Sequence, residues 1–164
     1  MHSAILNFAK KNKSLITGRV IDVGSYNVNG QLRDVLPITI GVDVSEGAGV
    51  DQVCDVTDLI KTFGVESFDC VCSADALEHM QDWQGALENM WGVLKDGGVM
   101  LLTIANPSKG YHGYPHDYWR WELPDFIRLF GENKIVDSFI QNPSMGVCVI
   151  KSAPLDYTVK PKSV

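Results

Sequence analysis

Two apolar runs joined by one amphipathic helix constrain the fold of this chain more than any other feature. The runs are 68–72 and 99–102, and the segment 83–94 between them carries apolar residues at helical spacing. Two buried strands joined by a helix form a parallel crossover unit. In open α/β sheets, ligands bind where such strands end. The polar cluster 73–79, which directly follows the first run, is therefore predicted to border a binding site.

Strand-like and helix-like segments alternate along the rest of the chain. Apolar, β-branched runs predict parallel strands at 19–23, 38–42, 51–54, 68–72 and 99–104. Helices are predicted at 1–13, around Leu32 and Val35, and at 56–63, 83–94 and 123–130. The last two runs, 134–140 and 146–151, flank a turn-prone Asn-Pro-Ser and predict a closing antiparallel hairpin. The sequence thus predicts one doubly wound α/β domain over 1–154, followed by a polar tail at 155–164.

Composition excludes several classes of protein. With 45% hydrophobic residues, 164 residues can bury a core without cross-links, whereas a net charge of −6 argues against a surface built for nucleic acid or anionic lipid. No apolar run approaches the roughly 20 residues of a membrane span. The cysteines lie in apolar runs without a C-x-x-C pair or a histidine at metal-ligand spacing. They indicate reduced thiols of a cytoplasmic protein and no metal site.

Three acidic residues lie at the ends of the first three predicted strands: Asp22, Asp43 and Asp55. Parallel connectivity places these ends at one edge of the sheet, so the carboxylates are expected to border one crevice. A carboxylate after the second strand can accept hydrogen bonds from both ribose hydroxyls. The alternative for each one is a cap on the helix or turn that follows. All three beside a loop that contains glycine favour a nucleoside site.

At this point the sequence resembles the class I S-adenosylmethionine-dependent methyltransferases, most closely the small-molecule branch called type 11. The resemblance covers residues 19–104 and, more loosely, the closing hairpin. It is carried by Ser-Phe-Asp-Cys-Val-Cys-Ser at 67–73, Leu-Glu-His-Met-Gln-Asp at 77–82 and Leu-Lys-Asp-Gly-Gly at 94–98. It implies a seven-stranded Rossmann-like sheet in the order 3-2-1-4-5-7-6 with the last pair antiparallel.

The resemblance also implies a set of cofactor-binding residues. The methionine end of S-adenosylmethionine is expected against the loop after the first strand, and the nucleoside against the ends of the second and third strands. The end of the fourth strand is expected to contribute as well. In this sequence those positions are Asp22, Gly24, Ser25 and Tyr26 for the methionine end, Asp43 and Val44 for ribose and adenine, Asp55 and Val56 for the adenine amino group, and Ser73 and Ala74 on the fourth strand.

The loop after the first strand departs from the family pattern. The family's acidic-x-Gly-x-Gly-x-Gly reads Asp-Val-Gly-Ser-Tyr-Asn-Val here, so only its first glycine, Gly24, is present. Glycines let the backbone adopt left-handed conformations and approach a ligand closely. Asn27 and Asn29 tolerate such conformations better than most residues, and Gly30 follows them. The sequence therefore predicts a rebuilt loop.

A second unusual segment, 111–121, is rich in aromatic and titratable residues and follows the fifth strand. Some type 11 relatives have a similar His-x-x-Pro-x-Asp-Tyr stretch, which implies a position facing the substrate. Together with His79 from the earlier motif, it supplies candidate bases and candidate positioning groups. The bases are His79, His112 and His116, and the positioning groups are Asp117, Tyr118, Trp119 and Arg120. The alternative is an aromatic cap over the sheet edge with Asp117 and Arg120 paired.

The predicted reaction is methyl transfer from S-adenosylmethionine, with S-adenosylhomocysteine as product, to a small-molecule or sugar-type acceptor. It needs a positioned nucleophile and no metal. With one long loop, the acceptor pocket is either small or completed by a second subunit of a homodimer. One alternative is a nicotinamide-dependent oxidoreductase, which needs G-x-G-x-x-G after the first strand. Another is a non-catalytic module that binds S-adenosylmethionine or a partner.

Overall fold

The computed structural model describes residues 3–113 and 116–164, and its centre is a seven-stranded sheet. Numbered in chain order, the strands are β1 (Val20–Val23), β2 (Ile40–Asp43), β3 (Gln52–Val53), β4 (Phe68–Ala74), β5 (Leu94–Ala105), β6 (Ile135–Gln141) and β7 (Ser144–Ile150). Their order in space is 3-2-1-4-5-7-6. The first five strands are parallel, and β7 is antiparallel to both β5 and β6. The predicted fold class and strand order are confirmed.

Helices cover both faces of this sheet. The α-helices are α1 (Ser3–Asn12), α2 (Leu59–Phe63), α3 (Trp83–Val93) and α4 (Leu123–Phe130). Short 3₁₀ helices lie at Lys13–Leu15, Leu32–Asp34, Val56–Asp58, Leu77–His79 and Glu132–Lys134. The predicted N-terminal helix packs on the sheet, with Met1 and His2 outside the described residues. None of the helices within 3–113 and 116–164 is long and apolar enough to cross a membrane.

The continuous apolar run of β5 reflects burial on both faces of the sheet. Leu101 packs into a cluster with Phe8 of α1, whereas Leu102 packs into the opposite cluster with Met90 of α3. Each of these side chains is almost fully buried, which stabilises the fold by roughly 1.5–3 kcal/mol per side chain. Alternate residues of one strand therefore hold the two helical layers, as expected for a parallel sheet.

Strands β4 and β5 extend beyond their predicted bounds. Strand β5 begins at Leu94, five residues early, because Leu94 pairs with Phe68 before the register shifts and Val99 pairs with Cys70. Strand β4 continues to Ala74, which pairs with Thr103. The Leu-Lys-Asp-Gly-Gly motif, which resembles a turn, is thus the irregular start of a strand. The longer β4 carries residues 73 and 74 to the edge where the candidate site lies.

The last ten residues, predicted as a polar tail, make contacts with the domain. Val159 is buried, and Lys162–Ser163 pairs antiparallel with Trp119–Arg120 in a small second sheet. Apolar residues are scattered singly among polar ones in this stretch, as at Leu155 and Val159, which gives little signal of packing, so the sequence did not predict this contact. The pairing matters for the site because it ties down the segment that follows residue 116.

Candidate active site

A cavity of about 260 Å³ opens where β1, β4 and β5 end. It brings together five of the predicted cofactor residues and two of the predicted histidines. These are Asp22, Gly24, Ser25, Tyr26, Ala74, His79 and His112. Of the three carboxylates expected to border one crevice, Asp22 lines this cavity, whereas Asp43 and Asp55 are not among its described lining residues.

Asp22 lies at the end of β1 with its side chain buried. Burial raises its pKa to about 7, although the Arg33 guanidinium lowers it and the Asp43 carboxylate raises it further. A buried carboxylate whose charge is only partly offset is able to bind a cationic group. The arrangement suits the ammonium group of an amino acid.

The glycine-poor loop after β1 is held by hydrogen bonds of its own. Gly24 takes a left-handed conformation with φ 81°, and its amide donates to the Val42 carbonyl at 2.9 Å. The Asn27 amide donates to the Ala48 carbonyl at 2.8 Å, while its side-chain Oδ1 accepts from the Gly30 amide at 2.9 Å. Asparagine and one later glycine thus shape the loop where the family uses three glycines.

Asp43 and Val44 lie at the end of β2, outside the lining of the cavity. The Asp43 carboxylate accepts hydrogen bonds from the Tyr26 amide at 3.3 Å and from the Ser45 amide at 2.9 Å. Val44 is 68% exposed, although it is apolar. Asp43 therefore links the loop after β1 to the loop after β2, and the exposed Val44 lies next to it in the chain.

The remaining cofactor candidates, Asp55, Val56 and Ser73, contact other residues of the protein. The Asp55 carboxylate accepts from the Thr57 amide and hydroxyl at 2.9 and 2.7 Å, which makes it the cap of the 3₁₀ helix that follows. This contact matches the capping alternative for Asp55. Val56 packs against the core, and the buried Ser73 hydroxyl donates to the Val23 carbonyl at 2.8 Å. None of these three lines the cavity described above.

His79 and His112 form one wall of the cavity, with ring centroids 5.1 Å apart. The Nδ1 atom of His79 lies 2.6 Å from the His116 carbonyl oxygen. The Nε2 atom of His112 lies 3.7 Å from Oε1 of Glu78, and this contact with Glu78 raises the pKa of His112 above its ordinary value. Two histidines from distant parts of the chain therefore meet beside one carboxylate.

Glu78 is a site residue that the sequence-based prediction missed. It is 0% exposed, and its Oε1 atom accepts from the Ala105 amide at 3.1 Å. Its other carboxylate oxygen, Oε2, has no hydrogen-bond partner among the described residues. The sequence feature that could have identified Glu78 is its place in the family motif, between Leu77 and His79. The burial of its side chain could not be inferred from that motif. A buried carboxylate oxygen without a partner needs an explanation.

Asp75, at the end of β4, was also missed. It adopts a left-handed backbone conformation with φ 49°, and its Oδ1 atom is buried without a partner among the described residues. Burial, with the Glu78 carboxylate nearby, raises its pKa to about 7. Strained, buried polar residues of this kind cluster at functional sites.

Asp117 and Arg120 form a buried ion pair. Their hydrogen bonds measure 2.6 Å from Nη1 to Oδ1 and 2.5 Å from Nη2 to Oδ2, and neither side chain is more than 6% exposed. Burial raises the pKa of Asp117, but the Arg120 hydrogen bonds and the His112 amide outweigh it and hold the pKa at about 2. Arg120 also donates to the Lys109 and Gly110 carbonyls. The predicted alternative of a paired Asp117 and Arg120 is what the structure contains.

The other side chains of this segment pack beside the site. Trp119 donates its Nε1 proton to the Met80 carbonyl at 2.9 Å, and Trp121 stacks on Phe126 in the core. His116 is exposed, and its ring centroid lies 5.8 Å from that of the half-buried Tyr118. Residues 114 and 115 lie outside the described part of the chain. Of the described residues in 112–121, only His112 is among those that line the cavity.

Comparison with known proteins agrees with this geometry. Residues 23–102 match a family described as a methyltransferase domain. A ubiquinone biosynthesis O-methyltransferase of Parvibaculum lavamentivorans is 24% identical over 101 residues, which is 61% of this chain. The chain spans 40% of the length of that relative.

Solved structures share the fold at low sequence identity. The Burkholderia thailandensis 1,6-didemethyltoxoflavin-N1-methyltransferase, solved with its substrate and S-adenosylhomocysteine, aligns with a TM-score of 0.68 at 17% identity, covering 92% of this chain and 79% of that one. An S-adenosylmethionine-dependent methyltransferase from Mesorhizobium loti aligns with a TM-score of 0.63 at 13% identity, covering 91% and 98%. These similarities show the fold.

Proposed function

Because the chain belongs to the class I S-adenosylmethionine-dependent methyltransferases, we propose that it transfers a methyl group from this cofactor to a small-molecule acceptor held at the wall formed by His79 and His112. One observation carries the proposal. The lining of the cavity at the ends of β1, β4 and β5 includes both the buried Asp22 and the two imidazoles. A carboxylate for a cationic amino-acid group and two imidazoles for an acceptor therefore belong to one cavity.

The residues present fit the methionine end of the cofactor. Asp22 supplies a buried carboxylate for an ammonium group, and Gly24 keeps the backbone close to the cavity. The unpartnered Oδ1 of Asp75 supplies a second acceptor in the same lining. Bound S-adenosylmethionine supplies an activated methyl group on its sulfonium. The chain's own contribution is to hold the two reactants and to exclude water, which lowers the barrier by several kcal/mol when the alignment is good.

The nucleoside is proposed to lie against Asp43 and Val44. Asp43 already accepts two backbone hydrogen bonds, and each of its oxygens keeps a lone pair for a ribose hydroxyl. The exposed Val44 offers an apolar surface for adenine. Asp55 and Val56 remain candidates for the adenine amino group, although Asp55 also serves as a helix cap.

On the acceptor side, His79 and His112 are proposed to contact the acceptor, whereas Asp117 and Arg120 act as positioning residues. Asp117 contacts the His112 ring, and Arg120 joins Asp117 to the backbone at Lys109 and Gly110. His116 positions His79 through its carbonyl oxygen. The charged pair thus holds the wall of the cavity in place.

A small organic acceptor is supported by the relatives. One is named for ubiquinone biosynthesis, and the other is named for 1,6-didemethyltoxoflavin and was solved with that compound bound. The acceptor proposed for this chain is of that general size.

Isotope transfer tests this function. The full chain is incubated with S-adenosylmethionine carrying a deuterated methyl group and with fractionated small metabolites, and mass spectrometry identifies products that carry the label. Labelled product is expected with the wild-type chain and a large loss with a His79→Ala and His112→Ala double variant. A folded chain that binds S-adenosylhomocysteine yet labels no fraction would point instead to the non-catalytic binding module.

A further inference from the structure

We propose that Glu78, His79 and His112 form a binding site for a divalent transition-metal ion, with zinc as the expected occupant. Each residue offers one ligand atom, and these atoms all lie within 4.8 Å of one another. Two imidazoles and one carboxylate are a ligand set that proteins use for zinc and for iron(II). The ligands come from two separate segments of the chain, so sequence spacing alone does not reveal them.

The hydrogen bonds of the two histidines prepare them for this role. His79 contacts the His116 carbonyl through Nδ1 at 2.6 Å, and the Nδ1 atom of His112 lies 3.0 Å from the Asp117 carboxylate. An oxygen next to Nδ1 favours a proton on that nitrogen, which leaves the lone pair on Nε2. In His112 the Gly110 carbonyl lies 3.3 Å from Nδ1 as well, and the Arg120 Nη2 atom lies 3.2 Å from it. Metal-binding histidines nearly always have such partners, which orient the ring and select the tautomer.

Glu78 supplies the independent observation. Its side chain is 0% exposed, its Oε1 atom is held by the Ala105 amide, and Oε2 has no partner among the described residues. A buried carboxylate oxygen without a hydrogen bond is costly unless an ion compensates it. A cation between Glu78 and the two imidazoles would supply that compensation.

The distances are close to those of a formed site. Two ligands at about 2.0 Å from a tetrahedral ion lie roughly 3.3 Å apart. The separation between His112 Nε2 and Glu78 Oε1 is 3.7 Å, so this pair is nearly in place. The ligand atom of the half-buried His79 lies within 4.8 Å of the other two, so it must move closer to them to complete the set.

The position of the site would let the ion contact an acceptor in the cavity. His79 and His112 line the cavity, whereas Glu78 lies behind them, so the open coordination position faces the cavity. An acceptor with a hydroxyl or carboxylate oxygen would bind there directly. This last step rests on the proposed methyl transfer, but binding of the ion itself does not.

Calorimetric titration of zinc chloride into the full chain tests the site. One ion per chain is expected, and His79→Ala or His112→Ala should each weaken binding at least tenfold. Glu132→Ala removes an exposed carboxylate outside the cavity lining and serves as the control, with affinity close to wild type. Cobalt(II) titrated into the same proteins gives an independent readout, because its visible absorption reports coordination by nitrogen and oxygen.

Two results would overturn the inference: no zinc binding by the folded wild-type chain, or equal affinity in the folded double variant lacking both histidines. Glu78→Gln is a third variant of the site. Because it alters a buried side chain, its folding is checked first by thermal unfolding. If it does not fold, the zinc affinities of the histidine variants alone test the site. Titration with S-adenosylhomocysteine separates the two proposals. A chain that binds this compound but not zinc contradicts only the metal site, and the reverse result contradicts only the methyl transfer.

Discussion

The Oδ2 atom of Asp117 lies 3.0 Å from the Nδ1 atom of His112 and also accepts a hydrogen bond from the His112 amide at 2.8 Å. One carboxylate therefore fixes both the ring and the backbone of a residue that lines the cavity. Arg120 pairs with the same carboxylate. The segment 111–121 is thus held by a charged network, and His112, its described residue in the cavity lining, depends on that network.

Replacing Arg120 with Ala should destabilise the fold strongly. The change leaves the Asp117 carboxylate buried without its cation, and breaking a buried pair in this way typically costs about 3–5 kcal/mol. Chemical denaturation measures the free energy of unfolding. Lys162→Ala is the matched control, because its pair with Glu122 is exposed and should contribute less than about 1 kcal/mol. Equal losses in the two variants would show that Arg120 has no special role.

The stability of the chain should depend on pH through Asp22. Its pKa is about 7 in the folded state and 3.8 as the ordinary value, so the folded chain binds more protons between these values. The free energy of unfolding should therefore fall as pH rises from about 4 to about 7, and this contribution should stay lost above pH 7. Arg33 and Asp43 are the charged groups that modify it.

Asp22→Asn should remove this part of the pH profile. A shift of one pKa unit corresponds to 1.36 kcal/mol. The free energy of unfolding of Asp22→Asn minus that of wild type should therefore be higher at pH 8 than at pH 4 by up to about 4 kcal/mol. Thermal and urea unfolding at several pH values provide the measurement, with the exposed Asp58→Asn as control. A profile for Asp22→Asn parallel to that of wild type would contradict the assignment.

Gly24→Ala should cost more than Gly97→Ala, although both glycines have a positive φ, of 81° and 75°. At Gly97 an added Cβ meets nothing within 4 Å, so only the backbone strain of about 1–2 kcal/mol applies. At Gly24 the Cβ would lie 2.5 Å from that of Ala76, which adds about 1–3 kcal/mol of overpacking. Unfolding free energies of the two variants decide this, and equal values would argue against a tight contact at the loop.

The order of the strands could be predicted from the sequence because each strand is an apolar run bounded by turn residues. The run at 68–72, the helix at 83–94 and the run at 99–102 already determine a parallel crossover, and Asn142–Ser144 marks the hairpin. The structure confirms both. What the pattern could not give was the irregular start of β5 at Leu94, since the pairing partner of a residue is not encoded in its own segment.

The lining of the cavity was predicted less completely than the fold. Strand ends and unusual composition mark Asp22, Gly24 and His112 in the sequence, and all three line the cavity. Burial and hydrogen-bond partners are tertiary properties, so the unpartnered oxygens of Glu78 and Asp75 were not visible in the pattern. For the same reason the sequence left the role of Asp55 open, because its capping contact depends on the conformation of the turn that follows.

Asp43→Ala should weaken binding of S-adenosylhomocysteine by about 1–3 kcal/mol, because ribose hydroxyls would lose a charged acceptor. The carboxylate also accepts the Tyr26 and Ser45 amides, so part of the loss would come from a looser loop. Asp43→Asn retains one acceptor oxygen and should lose less. Calorimetry on all three proteins measures the affinities. An unchanged affinity in Asp43→Ala would remove Asp43 from the proposed nucleoside site.

The central claim is that the cavity at the ends of β1, β4 and β5 belongs to a site for S-adenosylmethionine and its product. Isothermal titration of the full chain with S-adenosylhomocysteine tests it most directly, with NAD⁺ titrated in parallel. One molecule of S-adenosylhomocysteine bound per chain, and no binding of NAD⁺, is the predicted result. A folded chain that gives no binding heat with S-adenosylhomocysteine at several temperatures, or that binds NAD⁺ in its place, would contradict the account.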